Sequence, residues 1–439
     1  MKFYDREQEL SILERLDKQA DEVGIMTVLT GRRRVGKTML ALHHANGKRF
    51  LYLFVGRKEE SLLCQEFLEE IKKLFPIPII GEITAFKDIF ALLVEIAKKE
   101  KYILIFDEFQ EFFQINSSIY SDMQKIWDLN KHLIKLHVIF IGSEYSLMHK
   151  IFEDNKEPLF GRADRILQIK AFTLKTLTEI LKDRGIFSAE NLFYFYVLSG
   201  CMPKYLDIFL SEKSHDLNGL LNCILQHDSL FLNEGKNLLI EEFGRDHLTY
   251  FTILELISQG KTSRGEIESL LGKDIGGYLQ RLEQDYGIIA RHRSIQSKIH
   301  SRNQKYKIID NFLNFWFRFI YRNRTAVEME NFTHLRKLVS RDFSTYCGPI
   351  LEKLFHKLLS ETGRYNEIGS YWEKNNHNEI DVVALNDIDK TILIAETKLT
   401  KSKINLNELS IRSKSLLSYY PDYVPSYFGF DIKDALKFI

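Results

Sequence analysis

Cysteine is scarce and scattered. The four residues Cys64, Cys201, Cys223 and Cys347 form no C-x-x-C pair, which argues against a zinc ribbon or a disulfide framework and suits a reducing cytoplasm. Long apolar runs are absent as well. Nothing approaches the ~18–20 residues that a bilayer span needs, so no membrane partner is expected. The opening Met1-Lys2-Phe3-Tyr4-Asp5-Arg6-Glu7 is too charged for a signal-peptide core. Charge of one sign is missing too. The formal net charge is +1 over 439 residues, so a surface for a polyanion has to be local. Proline disappears between Lys204 and Gly348, where the patterns turn mainly helical. What remains is ordinary globular material, long enough for roughly two to four domains.

Against that background Gly31-Arg32-Arg33-Arg34-Val35-Gly36-Lys37-Thr38 reads G-x-x-x-x-G-K-T, the Walker A pattern. An apolar run, Ile25 to Thr30, precedes it and suits a buried strand. Met39-Leu40-Ala41-Leu42-His43 follows and suits a helix start. Gly31 and Gly36 permit positive φ, so backbone N–H groups from Gly31 to Met39 can approach phosphate oxygens. The helix N-terminus adds its positive end. Lys37 is expected to reach the β- and γ-phosphates of ATP, and the Thr38 hydroxyl to bind Mg²⁺.

A second motif lies at 101–108, Lys-Tyr-Ile-Leu-Ile-Phe-Asp-Glu. Its five apolar residues predict a strand buried on both faces, as in a parallel sheet. Asp107 and Glu108 would stand at its carboxyl end, where open α/β sheets gather ligands. Asp107 is expected to hold Mg²⁺ and Glu108 to orient or deprotonate the attacking water. Further strands are expected at 49–55 and 137–143, with helices over 59–74, 85–99 and 118–134.

Phe3, Arg6, Glu9 and Leu10 spell F-x-x-R-x-x-E-L shortly before Walker A. This resembles the opening of the archaeal-type ATPases, in the STAND branch near the AAA+ proteins. The resemblance implies that Arg6 lies by the adenine. It gives Ser143 the place of the sensor-1 polar residue, where AAA+ proteins more often carry Asn or Thr. Gly161-Arg162 resembles the family's G-R after sensor 1. Arg162 is thus a candidate arginine finger, acting in cis or in trans, with Arg165 as a rival. Gly200-Cys201-Met202-Pro203-Lys204-Tyr205-Leu206 resembles G-G-x-P-x-Y-L, with Cys201 replacing the second glycine. There Pro203 would face the base or sugar, unless Gly and Pro only break a helix.

Residues 246–310 look like a winged helix. Helices are expected at 246–259 and from Ser263, and a recognition helix at 275–285. Gly287–Arg291 and Lys305–Ile309 would be the wing strands. From 281 to 324 ten Lys/Arg, among them Arg291, Arg293, Lys298, Arg302, Lys305 and Lys307, stand against three acids. A basic wing suits phosphate contact with double-stranded DNA, or it packs against protein. The aromatic run Tyr306–Phe319 reads as core.

Behind it, residues 346–359 predict a helix starting near Pro349 and carrying Glu352. Strands follow with Asn378-Glu379-Ile380-Asp381 and Ala395-Glu396-Thr397-Lys398. This resembles the PD-(D/E)xK nuclease fold, as fused behind archaeal-type ATPases. Glu396 and Lys398 are two apart on a strand and share a face. Glu352, Asp381 and Glu396 are candidate Mg²⁺ ligands, since hard ions prefer oxygen. Lys398 would position water or stabilise charge, and Glu379 is a further candidate. The expected fold is an α/β P-loop NTPase with a parallel sheet (1–172), a helical lid (173–242), a winged helix (243–326) and a C-terminal α/β restriction-endonuclease-like domain (327–439). The expected function is a cytoplasmic ATPase, able to self-assemble, whose nucleotide state (ATP or ADP) controls a DNA-directed nuclease module. The alternative is a STAND-type signalling switch whose C-terminal domain only docks a partner.

Overall fold

The computed structural model describes residues 2–76, 81–143, 145–243, 247–297, 304–373 and 377–439. The chain divides into two compact units, Lys2–Ala171 and Phe172–Ile439.

In the first unit five strands form one sheet: β1 (Ile25–Thr30), β2 (Phe50–Phe54), β3 (Tyr102–Asp107), β4 (Leu136–Ile141) and β5 (Arg165–Gln168). Their order is β2-β3-β4-β1-β5, and every neighbouring pair is parallel. All residues of β1, β3 and β4 are buried. That is why they read as unbroken apolar runs: crossover helices cover both faces. The crossover helices include α2 (Lys37–Ala45) and the helices Glu60–Leu74, Phe86–Ala97 and Ile119–Asn130, and α1 (Glu7–Gln19) precedes the first strand. One face is filled by aromatic rings. Phe106 of β3 stacks on Phe140 of β4 at 5.8 Å, with Phe86, Phe109 and Phe112 around them.

The second unit begins with helices between Leu174 and Phe243. The helices His247–Ser258, Arg264–Leu271 and Gly276–Gln284 follow, then β6 (Ile289–Arg293) and β7 (Gln304–Ile308), which pair antiparallel. β6 starts two residues later than the sequence predicts. Gly287 adopts φ 58 and Ile288 N–H bonds back to Leu282 O, so the turn consumes both residues. Phe312, Phe315, Trp316, Phe317 and Phe319 are buried, as their density predicts.

One expectation fails here. Pro349 does not open a helix but lies inside a continuous 30-residue one, Phe332–Glu361. Tyr346 and Cys347 before it and Ile350, Leu351, Leu354 and Phe355 after it are all buried. Packing on both sides outweighs the lost backbone bond, since tertiary context overrides propensity. Beyond this helix come β8 (Glu367–Tyr371), β9 (Ile380–Asn386), β10 (Thr391–Thr397) and β11 (Val424–Phe430). Their order is β11-β10-β9-β8. β8, β9 and β10 pair antiparallel, and β11 joins β10 in parallel. No helix among the described residues is long and apolar enough to cross a membrane.

Gly235, in the helix Leu230–Phe243, offers a test of this packing. A Cβ there would meet the Trp316 ring at 2.3 Å. Trp316 Nε1 donates to Leu232 O at 3.0 Å, so the ring cannot retreat without losing that bond. Gly to Ala inside a helix ordinarily gains roughly 0.5–1 kcal/mol. Here Gly235→Ala should instead lose about 1–3 kcal/mol to overpacking, seen as a lower urea midpoint. A raised midpoint would contradict the packing described.

Candidate functional site

The loop after β1 has the backbone its motif calls for. Gly31 sits at φ 136, and a Cβ there would come within 2.3 Å of Ile169 O. Gly36 at φ 92 caps α2, and Arg34 between them also has positive φ, 71. Lys37 opens α2 and is buried, its Nζ donating to Gly31 O at 2.8 Å and Arg32 O at 3.1 Å. Arg32, Arg33 and Val35 complete the loop. Met39 is exposed, so the phosphate contact open to it is through its backbone.

The sheet order brings the two motifs together. Thr38 Oγ1 donates to Asp107 Oδ2 at 2.7 Å. The same oxygen accepts from Tyr52 Oη at 2.9 Å, and Asp107 Oδ1 accepts from Glu108 N at 3.0 Å. Burial, with Asp107 beside it, pushes the Tyr52 hydroxyl far up, so Tyr52 stays a proton donor. Glu108 stands at φ 55, which turns it away from the strand. Its Oε2 accepts from Ser143 Oγ at 2.7 Å and Gln110 Nε2 at 2.6 Å. Ser143 follows β4, the strand between those of the two motifs, so it reaches Glu108 from the side. Thr38, Asp107, Glu108 and Ser143 thus meet at the carboxyl edge. Their hard oxygen donors fit Mg²⁺. Tyr52 and Gln110 belong to no motif, and only the fold reveals them.

Arg6 lies beside the P-loop, whereas Arg162 lies toward the opposite edge of the sheet. Arg6 is buried at the N-cap of α1 and donates to Val35 O at 3.3 Å and Lys170 O at 2.6 Å. It ties the P-loop to the segment after β5. Arg162 pairs with Asp128 at 3.0 Å and donates to Phe160 O at 2.8 Å. Its loop enters β5 at the end that pairs with Thr27, the edge opposite the P-loop. The four residues of β5, about 3.3 Å each, separate Arg162 from its own chain's carboxyl edge. The cis reading of the arginine finger is corrected on this ground, and Arg165 lies at the same far end. Pro203 belongs to the second unit. It is the first residue of the helix Pro203–Ser211, a position where a missing N–H is harmless.

The second unit holds an acidic cluster. In the β9–β10 register Ala395 faces Val382, so the next pair sets Glu396 opposite Asp381 on one face. Asp381 Oδ2 accepts from Thr397 N at 2.8 Å and Thr397 Oγ1 at 3.2 Å. Glu396 is ion-paired with Lys398 at 3.0 Å and Arg412 at 2.9 Å. Glu352, on the long helix, lies 3.5 Å from Lys307 of β7. Burial pushes the Glu352 carboxyl well above the usual range; Lys307 opposes this, and Asp381 and Glu379 add to it. Asp381 is also raised by burial, with the Thr397 bonds and Lys398 working against it. Burial disfavours the Lys398 ammonium, yet its bond to Glu396 and the Asp381 charge hold it above its ordinary value. Glu379 is exposed and paired with Lys305 at 2.7 Å.

The basic strip is largely turned onto protein. Arg291 is paired with Glu283, Lys305 with Glu379 and Lys307 with Glu352. Arg293 is exposed, while Lys298 and Arg302 lie outside the described residues.

Comparison with known proteins agrees with the first unit's geometry. Residues 3–209 match the family described as an ATPase domain predominantly from Archaea. Residues 316–409 match a family of archaeal and bacterial proteins of unknown function. The uncharacterized protein MJECL04 of Methanocaldococcus jannaschii is 32% identical over 407 residues, 90% of this chain and 87% of its own length. The Walker-type ATPase PABY2304 of Pyrococcus abyssi shares the fold, with a TM-score of 0.56 and 21% identity over 72% of this chain and 96% of that one. With a P-loop, an acidic strand end behind it and near full-length kinship to an archaeal relative, the chain belongs to the archaeal-type ATPases, its ATPase domain followed by the C-terminal domain of that second family.

Proposed function

We propose that ATP binding and hydrolysis in the first unit control a DNA-directed, metal-dependent phosphodiester-cleaving site in the second. On this reading residues 173–242 form a lid, 243–326 a winged helix and 327–439 a nuclease-like domain, and the protein works in the cytoplasm. The carrying observation is the meeting of Asp381 with the end of β10, its Oδ2 accepting from Thr397 N at 2.8 Å beside Glu396, with Lys398 at 3.0 Å from Glu396.

In the ATPase site Lys37 takes the β- and γ-phosphates, exchanging its carbonyl partners for charge-assisted ones. Glu108, held by Ser143 and Gln110, orients the attacking water and accepts its proton. Thr38 and Asp107 would hold Mg²⁺, which supplies charge neutralisation on the phosphates. An arginine finger from Arg162 would serve a neighbouring copy's nucleotide, which calls for a homo-oligomer. In the acidic site Asp381, Glu396 and Glu352 would hold a divalent cation, which supplies Lewis acidity. The fit is supported by the raised Glu352 and Asp381 carboxyls, since crowded acids resist ionising together without a cation. Lys398 positions water at the scissile phosphate.

A second reading has its own observation. Arg412 and Lys307 already neutralise Glu396 and Glu352, as suits a STAND-type switch whose C-terminal domain docks a partner without cutting.

Two experiments test these roles. Lys37→Ala should abolish ATP hydrolysis and weaken nucleotide binding. Glu108→Gln should keep binding and slow turnover by about 10²–10⁴-fold. A wild-type rate in Glu108→Gln removes Glu108 as the base. For the acidic site, supercoiled DNA with Mg²⁺ or Mn²⁺ should be nicked by the wild type and not by Asp381→Asn, which keeps its ATPase activity. Wild-type protein that leaves the DNA intact would transfer the site to the docking reading.

A further inference from the structure

At the edge of the first unit's sheet away from the P-loop, three buried side chains meet, each with a polar atom that makes no hydrogen bond; that of Asp17, Oδ1, stands 3.5 Å from the Lys101 ammonium. Asp17 comes from α1, His44 from the last turn of α2, and His137 from the start of β4, where its neighbour across the sheet is Ile25. One ligand atom from each lies within 4.8 Å of the other two. The residues are 5%, 5% and 0% exposed. Asp17 Oδ1, His44 Nε2 and His137 Nδ1 have no hydrogen-bond partner, and Asp17 Oδ1 stands 3.9 Å from His137 Nδ1. Orphans of this kind are rare in a folded interior, and three that converge call for something between them.

We propose that Asp17, His44 and His137 form a binding site for a transition-metal dication of the zinc class, with a fourth position open to water. Two imidazoles and one carboxylate are a zinc-type donor set, whereas Mg²⁺ and Ca²⁺ prefer oxygen throughout. Bonds of roughly 2.0–2.2 Å in a tetrahedron put ligand atoms about 3.4 Å apart, so the 3.9 Å pair has to close by half an ångström or so. One far nitrogen has the hydrogen-bonded support such ligands require, and the other faces a carboxylate without bonding it. His137 Nε2 lies 2.8 Å from Thr27 Oγ1, and the Glu14 carboxylate stands 3.8 Å behind His44 Nδ1. Burial keeps both rings neutral, lowering His44 to about 4 and His137 to about 3, so lone pairs are available at neutral pH.

The charges nearby leave room for a cation. Lys48 lies 3.1 Å from Asp17 and 2.6 Å from Glu14, and Lys101 lies 3.5 Å from Asp17 and 2.9 Å from Asp21. Each lysine therefore keeps a second carboxylate if Asp17 turns to the metal. Three acids against two ammonium groups leave one negative charge unmatched. A bound ion would join α1, α2 and β4. α2 carries Lys37 and Thr38 at its other end, and α1 begins at Arg6, which holds Val35 of the P-loop. The ion would hold the P-loop helix from behind without touching nucleotide.

The test is titration of the full chain with Co²⁺ after chelator treatment, without nucleotide. One equivalent should bind and give the visible absorption of tetrahedral Co²⁺ with nitrogen ligands, displaced by Zn²⁺. Oxygen-only sites, the Asp381 cluster included, absorb far more weakly. His44→Gln and Asp17→Asn should lose the band. Thr27→Val, which keeps every proposed ligand, should bind Co²⁺ about 10–100-fold more weakly. Should the first two variants not fold, Thr27→Val decides alone. Binding below a tenth of an equivalent, a band that survives in folded His44→Gln or Asp17→Asn, or unchanged affinity in Thr27→Val overturns the proposal.

Discussion

The Thr38–Asp107 hydrogen bond, 2.7 Å long, constrains most of the first unit. Its two residues lie far apart in the chain, one behind β1 and the other ending β3. They meet only if both strands run the same way and finish at the same edge. β4 lies between them and must be buried on both faces to fill that place, which it is. The aromatic cluster of Phe106 and Phe140 packs β3 against β4, and β4 delivers Ser143 to Glu108. Hydrophobic burial sets the spacing, and the spacing sets the polar edge. The glycines serve the same geometry: Gly31 leaves no room for a Cβ against Ile169 O, so the loop can turn there.

The second unit meets the opposite problem. Asp381, Glu396 and Glu352 bring like charge into a part-buried place, which is unfavourable without compensation. The protein compensates with Lys398, Arg412 and Lys307. Lys307 comes from β7, and Lys305 beside it pairs with Glu379, so the two-stranded sheet of β6 and β7 supplies counter-charge to the acids behind it. The local basic excess between 281 and 324 is explained in part by this internal pairing.

The sequence made some of this legible. Apolar runs ending in Gly31 or in Asp107-Glu108 named the strands of the nucleotide site and the edge they share. The two-residue spacing of Glu396 and Lys398 put them on one face, where they form an ion pair. Other features could not be read. A motif records order along the chain but not which edge of a sheet a residue occupies, so Arg162 took on a role its position in β5's approach denies it in cis. Tyr52, Gln110 and Arg412 act through contacts made only on folding. Pro349 sits within a helix because buried neighbours on both sides override a strong local preference. Asp17, His44 and His137 have no motif spacing at all, and only the sheet register and two helix ends bring them together.

The central claim is that the parallel sheet makes Thr38 and Asp107 one functional unit. A double-mutant cycle on kcat/KM for ATP hydrolysis tests it, using Thr38→Val, Asp107→Asn and the double variant. Residues that act as a unit are non-additive. The account predicts that the double variant is no slower than the slower single one. Losses that multiply, as for independent residues, would contradict it.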